Sequence, residues 1–569
     1  MKKNRFIALA LAAGMTFCNV AATGVVAYAD ETTQANEAQA AEGETAAAQS
    51  SVAVPEEQTI SSDSAANEQG KYTISVGSSD THTYKVYQIL TGTLIAGEEK
   101  LGNPTWGADA KNYGSTTDES TTALNKFIED ITKEGLTNVE INDLVLAQRA
   151  DDASGQGTVT MDVSLDVVPG YYLIEDVTTN LADNDTKSLN IVAVFNDITI
   201  TAKKGTVESE KHVDDQNDSD SNDHSELKDS ADYDIGDSIP YTLTMKLPDD
   251  YANYKQYYVS FVDDMSAGLT YNGDAKIYYG TADNTGDDIT FASDSATDSA
   301  YTKGTVYRAT IQNLKADDAT AEQKALTAGS VITIKYTATL NSNAVIGSTG
   351  NPNKYKVDFS SNPNQAAGGT PETNDTPWDT NIVFTYKTVF NKVDGNNNPL
   401  TGADFKLEKQ VGDNWVDVTA LHGGNVNPTK SVGENTITPV IAADGSVTTP
   451  GTATQFTFAG LDAGKYRLTE TVTPAGYNTI DPITFTITAE HTLEADEPTL
   501  TSLSGTGGNQ FTLNANETDG SLTAEIVNKQ GAILPSTGGM GTTILYVIGG
   551  ILVIGGGAAI FIKRKKDAE

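Results

Sequence analysis

Cysteine is all but missing. The one thiol, Cys18, sits close to the N-terminus, so disulfides cannot brace the chain, however oxidising its surroundings. Positive charge is scarce too. Against 77 Asp and Glu stand only 37 Lys and Arg, a formal net charge of −40 over 569 residues. Gripping phosphates needs clustered cations, so nucleic acid is excluded as a partner. The surplus carboxylates keep the protein soluble and self-repelling without fixing its fold. Histidine is rare, and His82, His212, His224, His422 and His491 fall in scattered strand-end or loop contexts. They mark no Ser–His–Asp or metal cluster, so an enzyme is not expected, nor a metal or cofactor.

Long apolar runs are confined to the two ends. "MKKNR" followed by "FIALALAAG" and the small-x-small Ala27-Tyr28-Ala29 reads as a secretory signal over 1–29, cleaved after Ala29. Residues from about Thr542 to Ile562 are long enough to span a bilayer. Lys563, Arg564, Lys565 and Lys566 follow, which keeps that end cytoplasmic and everything before it outside. By itself such a span reads as an anchor helix. Just ahead of it, however, stands Leu534-Pro535-Ser536-Thr537-Gly538.

What the chain has in quantity is Tyr (24 copies), together with Thr and Val, a composition suited to strands. Residues 30–70 hold Ala, Glu, Gln, Ser and Thr with few large apolar side chains, and are expected to be a disordered acidic spacer. From Lys71 the texture changes to alternating or apolar runs such as "KYTISV", "GYYLIEDV" and "SLNIVAVFNDITITAKK". "TTALNKFIEDITKEGL" among them reads as a helix. The length suggests about three domains, placed at 71–204, 205–380 and 381–531, with 532–569 as the terminal signal. "SNPNQAAGGTPETNDTPWD" is read as the linker before the third. The acidic stretch 214–234 has no Gly at the sixth and no Glu at the twelfth position counted from Asp218, so a solvated loop is favoured over a calcium site.

Strand parity singles out unusual residues, because i, i+2 and i+4 share a face. Phe384, Tyr386, Phe390 and Lys392 share one, as do Tyr466, Leu468 and Glu470, and Leu522, Ala524, Ile526 and Asn528. The middle domain repeats the pattern: Val207, Lys211 and Val213; Tyr257, Val259, Phe261 and Asp263; Asn353, Tyr355, Val357 and Phe359. Each domain thus aims a Lys, a carboxyl and an Asn at its core, on a first, a middle and a last strand. Buried charges are costly unless paired. One explanation is a Lys–carboxylate ion pair with Asn hydrogen-bonded nearby. The other is covalent. Burial lowers a lysine pKa and raises a carboxyl pKa, so a neutral amine can attack the Asn amide carbon. The protonated acid would hydrogen-bond the Asn carbonyl, ammonia would leave, and an isopeptide bond would remain.

The third domain carries "NKVDGNNNPLTGADFKLEK", "FTFAGLDAGKYRLTETVTPAGYN" and "EIVNKQG". It resembles the Cna B-type Ig-like domains of Gram-positive surface proteins, with "YRLTET" as the E-box. The resemblance implies Lys392, Glu470 and Asn528 as the reacting set. The middle domain, with "VDDMSAGLTYNG" and "NKYKVDFSSNPN", resembles pilin domains that form a Lys–Asn bond aided by an Asp. That implies Lys211, Asp263 and Asn353, with Asp264 the less favoured aspartate. The first domain departs from the pattern: Glu175 sits at an E-box-like place, but Ser75 stands where the lysine would be, so no bond is expected there. The implied fold is mainly β, tandem Ig-like sandwiches in an elongated array.

"LPSTG", span and basic tail match the sorting signal of sortase substrates. The resemblance implies cleavage between Thr537 and Gly538 and transfer of Thr537 to an amine. Ile198-Thr199-Ile200-Thr201-Ala202-Lys203 is similar to the "VxVYPK" core of the pilin motif, although Thr201 and Ala202 replace Tyr and Pro. Alternation leaves Lys203 opposite the apolar face, ahead of Lys204 as the polymerising lysine. The implied role is a pilus backbone subunit anchored in the cell wall. Its partners would be a class C sortase, further copies of itself, accessory pilins and peptidoglycan, with a host-surface ligand left open. A monomeric wall-anchored adhesin, or a minor tip or base pilin, is the alternative.

Overall fold

The computed structural model describes residues 70–531, apart from 95–100, 114–116, 134, 195–196, 201–204, 217–225, 281–285, 422–428, 433–434, 438–439, 442–446, 449–450, 496 and 509–511. The signal segment 1–29, the spacer 30–69, Lys203, Lys204 and the sorting signal lie outside the described residues, as do His224 and His422.

Strands dominate, and they fall into three successive groups. In the first, a three-stranded sheet (Leu165–Val167, Tyr72–Val76, Ile198–Ile200) faces a five-stranded one built around Tyr84–Leu94 and Gly170–Asp176. Ile74, Val86, Tyr172, Ile174 and Ile198 fill the space between them. Helices Thr117–Ile131 and Asn138–Leu146 pack Phe127, Ile128, Ile141 and Val145 onto the outer face of the larger sheet. The second helix begins on a capping box formed by Thr137 and Glu140.

The second group is a sandwich of two seven-stranded sheets. One contains Glu208–Asp215, Ser238–Lys246 and Val331–Leu340; the other contains Asp379–Phe384, Asn351–Ser360, Val259–Met265 and Thr305–Ile311. Alternation is clean along Ser238–Lys246, where Ile239, Tyr241, Leu243 and Met245 point inward. Val259–Met265 is buried on both faces. The third group pairs a six-stranded with a five-stranded sheet over a core that includes Phe390, Phe405, Phe458, Tyr466, Phe485 and Ile526. Its first strand, Tyr386–Asp394, runs parallel to its last, Ser521–Asn528, with Lys392 opposite Ile526 and Asp394 opposite Asn528. Burial of each such large apolar side chain contributes about 1.5–3 kcal/mol.

Several expectations need correction. The boundary drawn at 380/381 falls inside strand Asp379–Phe384, which pairs with Asn351–Ser360 and with Ser230–Asp232. Only Thr385 separates it from the next group's first strand. Asn353 is therefore not on the last strand of its sandwich. The stretch read as a linker is a loop of the second group that docks back on the first: Asn184 N–H donates to Asp375 O, Asn364 Nδ2 to Ser188 O, and Lys187 pairs with Glu372. Its Pro, Gly and Asn content marks turns, not a domain edge. The acidic stretch is not simply solvated either. It holds strands Glu226–Lys228 and Ser230–Asp232, and Asp229, Asp232 and Asp234 are buried.

Candidate sites for internal cross-links

In the second sandwich Lys211, Asp263 and Asn353 project inward from three strands and are buried, with Lys211 and Asn353 at 0% exposure. Lys211 Nζ donates to Asp263 Oδ2 at 2.5 Å and to the Tyr336 hydroxyl at 2.8 Å. That hydroxyl donates to Asp263 Oδ2 at 2.8 Å and accepts from Asn353 Nδ2 at 2.9 Å. Tyr336 thus sits at the centre of the group and joins the Asn to the acid. Rings of Tyr241 and Tyr336 wall the amine, at 4.9 and 5.4 Å from its nitrogen. Asp263 Oδ1 and Asn353 Oδ1 are buried and make no hydrogen bond. The backbone of Lys211 is held as well: its N–H donates to Asp379 Oδ2 and its carbonyl accepts from Asn381 Nδ2.

Burial pushes the Lys211 amine down, with Asp263 pulling the other way. It pushes the Asp263 carboxyl up, against Lys211 and Tyr336. Both shifts favour the neutral pair. Asp264 faces elsewhere and accepts from Ser299 Oγ and Ala300 N–H.

The third sandwich brings Lys392, Glu470 and Asn528 to one end of the parallel strand pair. Lys392 Nζ donates to the carbonyls of Val393 at 2.9 Å and Ile526 at 2.8 Å. Desolvation lowers this amine to about 8, while Glu470 and Asp394 oppose the fall. Asn528 Nδ2 donates to Glu470 Oε1 at 2.8 Å and Oε2 at 3.1 Å, and to Asn478 O. Ile480 N–H also bonds Glu470 Oε2. The expected contact between acid and Asn carbonyl is not the one found. The carboxyl faces the amide nitrogen, and Asn528 Oδ1 is buried without a hydrogen bond. A carboxyl oxygen draws the amide N–H toward it, which puts the acid beside the nitrogen that condensation would expel.

Three family models match. One described as Gram-positive pilin backbone subunit 2, Cna-B-like domain, covers residues 235–363. A second, the SpaA prealbumin-like fold domain, covers 387–499. The third, the LPXTG cell wall anchor motif, covers 526–569. One domain therefore matches a Gram-positive pilin-backbone model, the next matches a prealbumin-like fold, and a wall-anchor motif follows. It is a cell wall-anchored surface protein. Among curated proteins, the trypsin-resistant surface T6 protein of Streptococcus pyogenes serotype M6 is 27% identical over 365 residues, a match spanning 58% of this chain and 65% of that protein. The solved T6 backbone pilin of that serotype is 16% identical with a TM-score of 0.43, covering 81% of this chain and 98% of the other. The full-length major pilin SpaD of Corynebacterium diphtheriae is 17% identical with a TM-score of 0.40, covering 81% and 97%.

In the first domain, Ser75 Oγ bonds Ile198 O and Thr199 Oγ1, and Glu175 pairs with Arg149. His82 lies buried between Asp176 (2.6 Å) and Asp185 (3.0 Å), an arrangement that the scattered histidines of the sequence do not signal. Ile198 and Ile200, leading toward Lys203, are buried in a strand parallel to Tyr72–Val76. Between the second and third domains, Ser230 Oγ lies 2.7 Å from His491 Nδ1, whose Nε2 is 3.8 Å from Asp215 Oδ2. The chain therefore does bring a Ser, a His and an Asp together. Ser230 is fully buried and its hydroxyl donates to Thr492 O, so no substrate reaches it. Asp215, Asp232 and His491 each bring a potential metal-ligand atom within 4.8 Å of the others. Lys228 Nζ, 3.7 Å from Asp215, already supplies a cation there.

Proposed function

We propose that this chain is the backbone subunit of a pilus, polymerised by a class C sortase and stiffened by two internal Lys–Asn amides. The observation that carries the reading is the recurrence, in two domains of unlike topology, of a dry Lys with an acid and an Asn. Structural ion pairs need no third member. An isopeptide needs all three.

The condensation follows from the groups present. Neutral Lys211 Nζ attacks Asn353 Cγ. The C–N bond to Nδ2 breaks, a proton reaches that nitrogen, and ammonia leaves. Asp263 gives its proton through Tyr336 to the amide and takes the one shed by the amine. In the third domain Glu470 does both for Lys392 and Asn528, taking the proton shed by the amine and passing one to the leaving nitrogen. Each site reacts once, so the chain is its own substrate and not an enzyme in the turnover sense.

Fibre growth uses the ends. Thr537, freed from Gly538, is joined to Lys203 of the next subunit, a head-to-tail contact that does not close on itself. The residual apolar span serves as a temporary membrane hold. The test is electrophoresis of boiled wall extracts. A high-mass ladder that disappears in Lys203→Ala supports the backbone role. A single monomer band, unchanged by the substitution, rejects it in favour of a wall-anchored adhesin or a minor pilin.

A further inference from the structure

The second and third domains meet over a buried cluster that belongs to neither reacting set. Lys409, on strand Asp404–Val411 of the third domain, is 0% exposed. Its Nζ donates to Asp234 Oδ2 of the second domain at 2.6 Å and to Asp462 Oδ2 at 3.0 Å. Asp234 and Asp462 are equally dry. The backbone fixes the geometry: Asp462 N–H donates to Asp234 Oδ1, Ile235 N–H to Gly460 O, and Tyr466 O–H to Asp462 O. Gly460 has φ +84° and no room for a side chain, since a Cβ would stand 2.5 Å from Ile235 Cδ1.

One ammonium here faces at least two carboxyls, with Asp232 adding a third negative neighbour. Carboxyl groups this close and this dry cannot all ionise. Burial raises both Asp234 and Asp462, against the pull of Lys409. An amine is therefore pressed against a protonated acid, with a second acid within reach of the same nitrogen. These are the ingredients of the two intradomain sites, except that the electrophile is a carboxylic acid.

We propose that Lys409 and Asp234 condense into an amide that covalently joins the second domain to the third, with Asp462 carrying the proton. Asp462 accepts a proton from the Lys409 ammonium. The neutral amine adds to Asp234 Cγ, the C–OH bond breaks as Asp462 returns its proton to the departing hydroxyl, and Asp462 then takes the second proton shed by the nitrogen and ends protonated. One amide forms and one water leaves, and no oxidant or co-reactant is needed. The proposal rests on the condensation chemistry inferred above, but not on fibre assembly.

Peptide mapping of the full chain, released from the wall by muramidase, tests it. The expected result is a branched peptide joining Lys409 to Asp234 and lacking one water, whereas the Lys211 and Lys392 cross-links each lack one ammonia. The different losses separate failure of this bond from failure of the other two. Lys409→Arg keeps the charge and should abolish the water loss alone. Recovery of Lys409 and Asp234 on separate, unmodified peptides of the wild-type protein means an ionic cluster only and overturns the proposal, whatever the variant does.

Discussion

Lys392→Ala is the most direct probe of the cross-link chemistry. The proposed amide closes a loop of about 140 residues, from Lys392 to Asn528. By chain entropy, closing that loop in the unfolded state stabilises the fold by about 5 kcal/mol. The substitution leaves Glu470 and Asn528 hydrogen-bonded to each other and removes the donor to the Val393 and Ile526 carbonyls. For a domain of about 145 residues the unfolding entropy near the midpoint is roughly 0.3 kcal/mol per kelvin. The third domain should therefore melt about 15 °C lower, while the transitions of the other two stay in place. Calorimetry of a 70–531 fragment reads the shift, and intact mass reads one retained ammonia. Glu470→Gln separates bond from packing, because it keeps the volume and removes the group that carries the proton between the two nitrogens. Wild-type protein at its full sequence mass would falsify the covalent account. So would a melting drop of only a degree or two in a variant that had regained its ammonia.

Two further outcomes follow from groups that the sequence does not mark. Tyr336→Phe removes the hydroxyl that joins Asp263 to Asn353. Unmet buried partners cost about 1–3 kcal/mol, so the second ammonia loss should be slowed five- to 150-fold in a time course of intact mass. Wild-type kinetics would deny Tyr336 a role. His82 is pulled down by burial, but its bonds to Asp176 and Asp185 prevail and raise it to about 9. Its contribution, about 3 kcal/mol for that shift, is complete below the ordinary imidazole value of 6.5 and lost as pH climbs through 9. Asp176 is lowered, so its share is lost in acid instead. First-domain melting should fall between pH 6.5 and 9, and a flat profile there would contradict this.

The β-rich, modular character was legible because alternation is strict where one sheet face meets a core. Lys211, Asp263, Lys392, Glu470 and Asn528 stood out for the same reason: a polar residue on an apolar parity is rare enough to notice. Tyr336 shares its parity with Ile332, Ile334 and Ala338, but tyrosine is ordinary in a core, so its position carried no signal. Lys409 shares parity with Phe405 and Leu407 and could have been found by the rule that found Lys392. Its partner could not. Asp234 lies in a run of acids whose composition argues for solvent, and only the seam between two sandwiches dries it. Composition also misplaced the 380/381 boundary, because a turn-rich loop and a linker are written in the same residues.

Placement of the proposed amides would decide which segments carry load in the proposed fibre, pulled between Lys203 and Thr537. In the third domain Lys392 and Asn528 lie on parallel first and last strands. Force entering beyond Asn528 crosses to Lys392 and leaves along Tyr386–Asp394, so the residues enclosed between them are spared. The second domain is different. Asn353 lies on a strand followed in the same sheet by Thr373–Asp375 and Asp379–Phe384, so the chain from 354 to 384 stays on the load path. It is held there by its pairing with Asn351–Ser360 and Ser230–Asp232, by the Asp379 and Asn381 contacts to Lys211, and by its docking on the first domain. An amide from Lys409 to Asp234 runs parallel to that exposed segment, from the third domain straight to the part of the second that leads back to Lys211. The interdomain bond would thus share the load that the two intradomain bonds leave on residues 354–384.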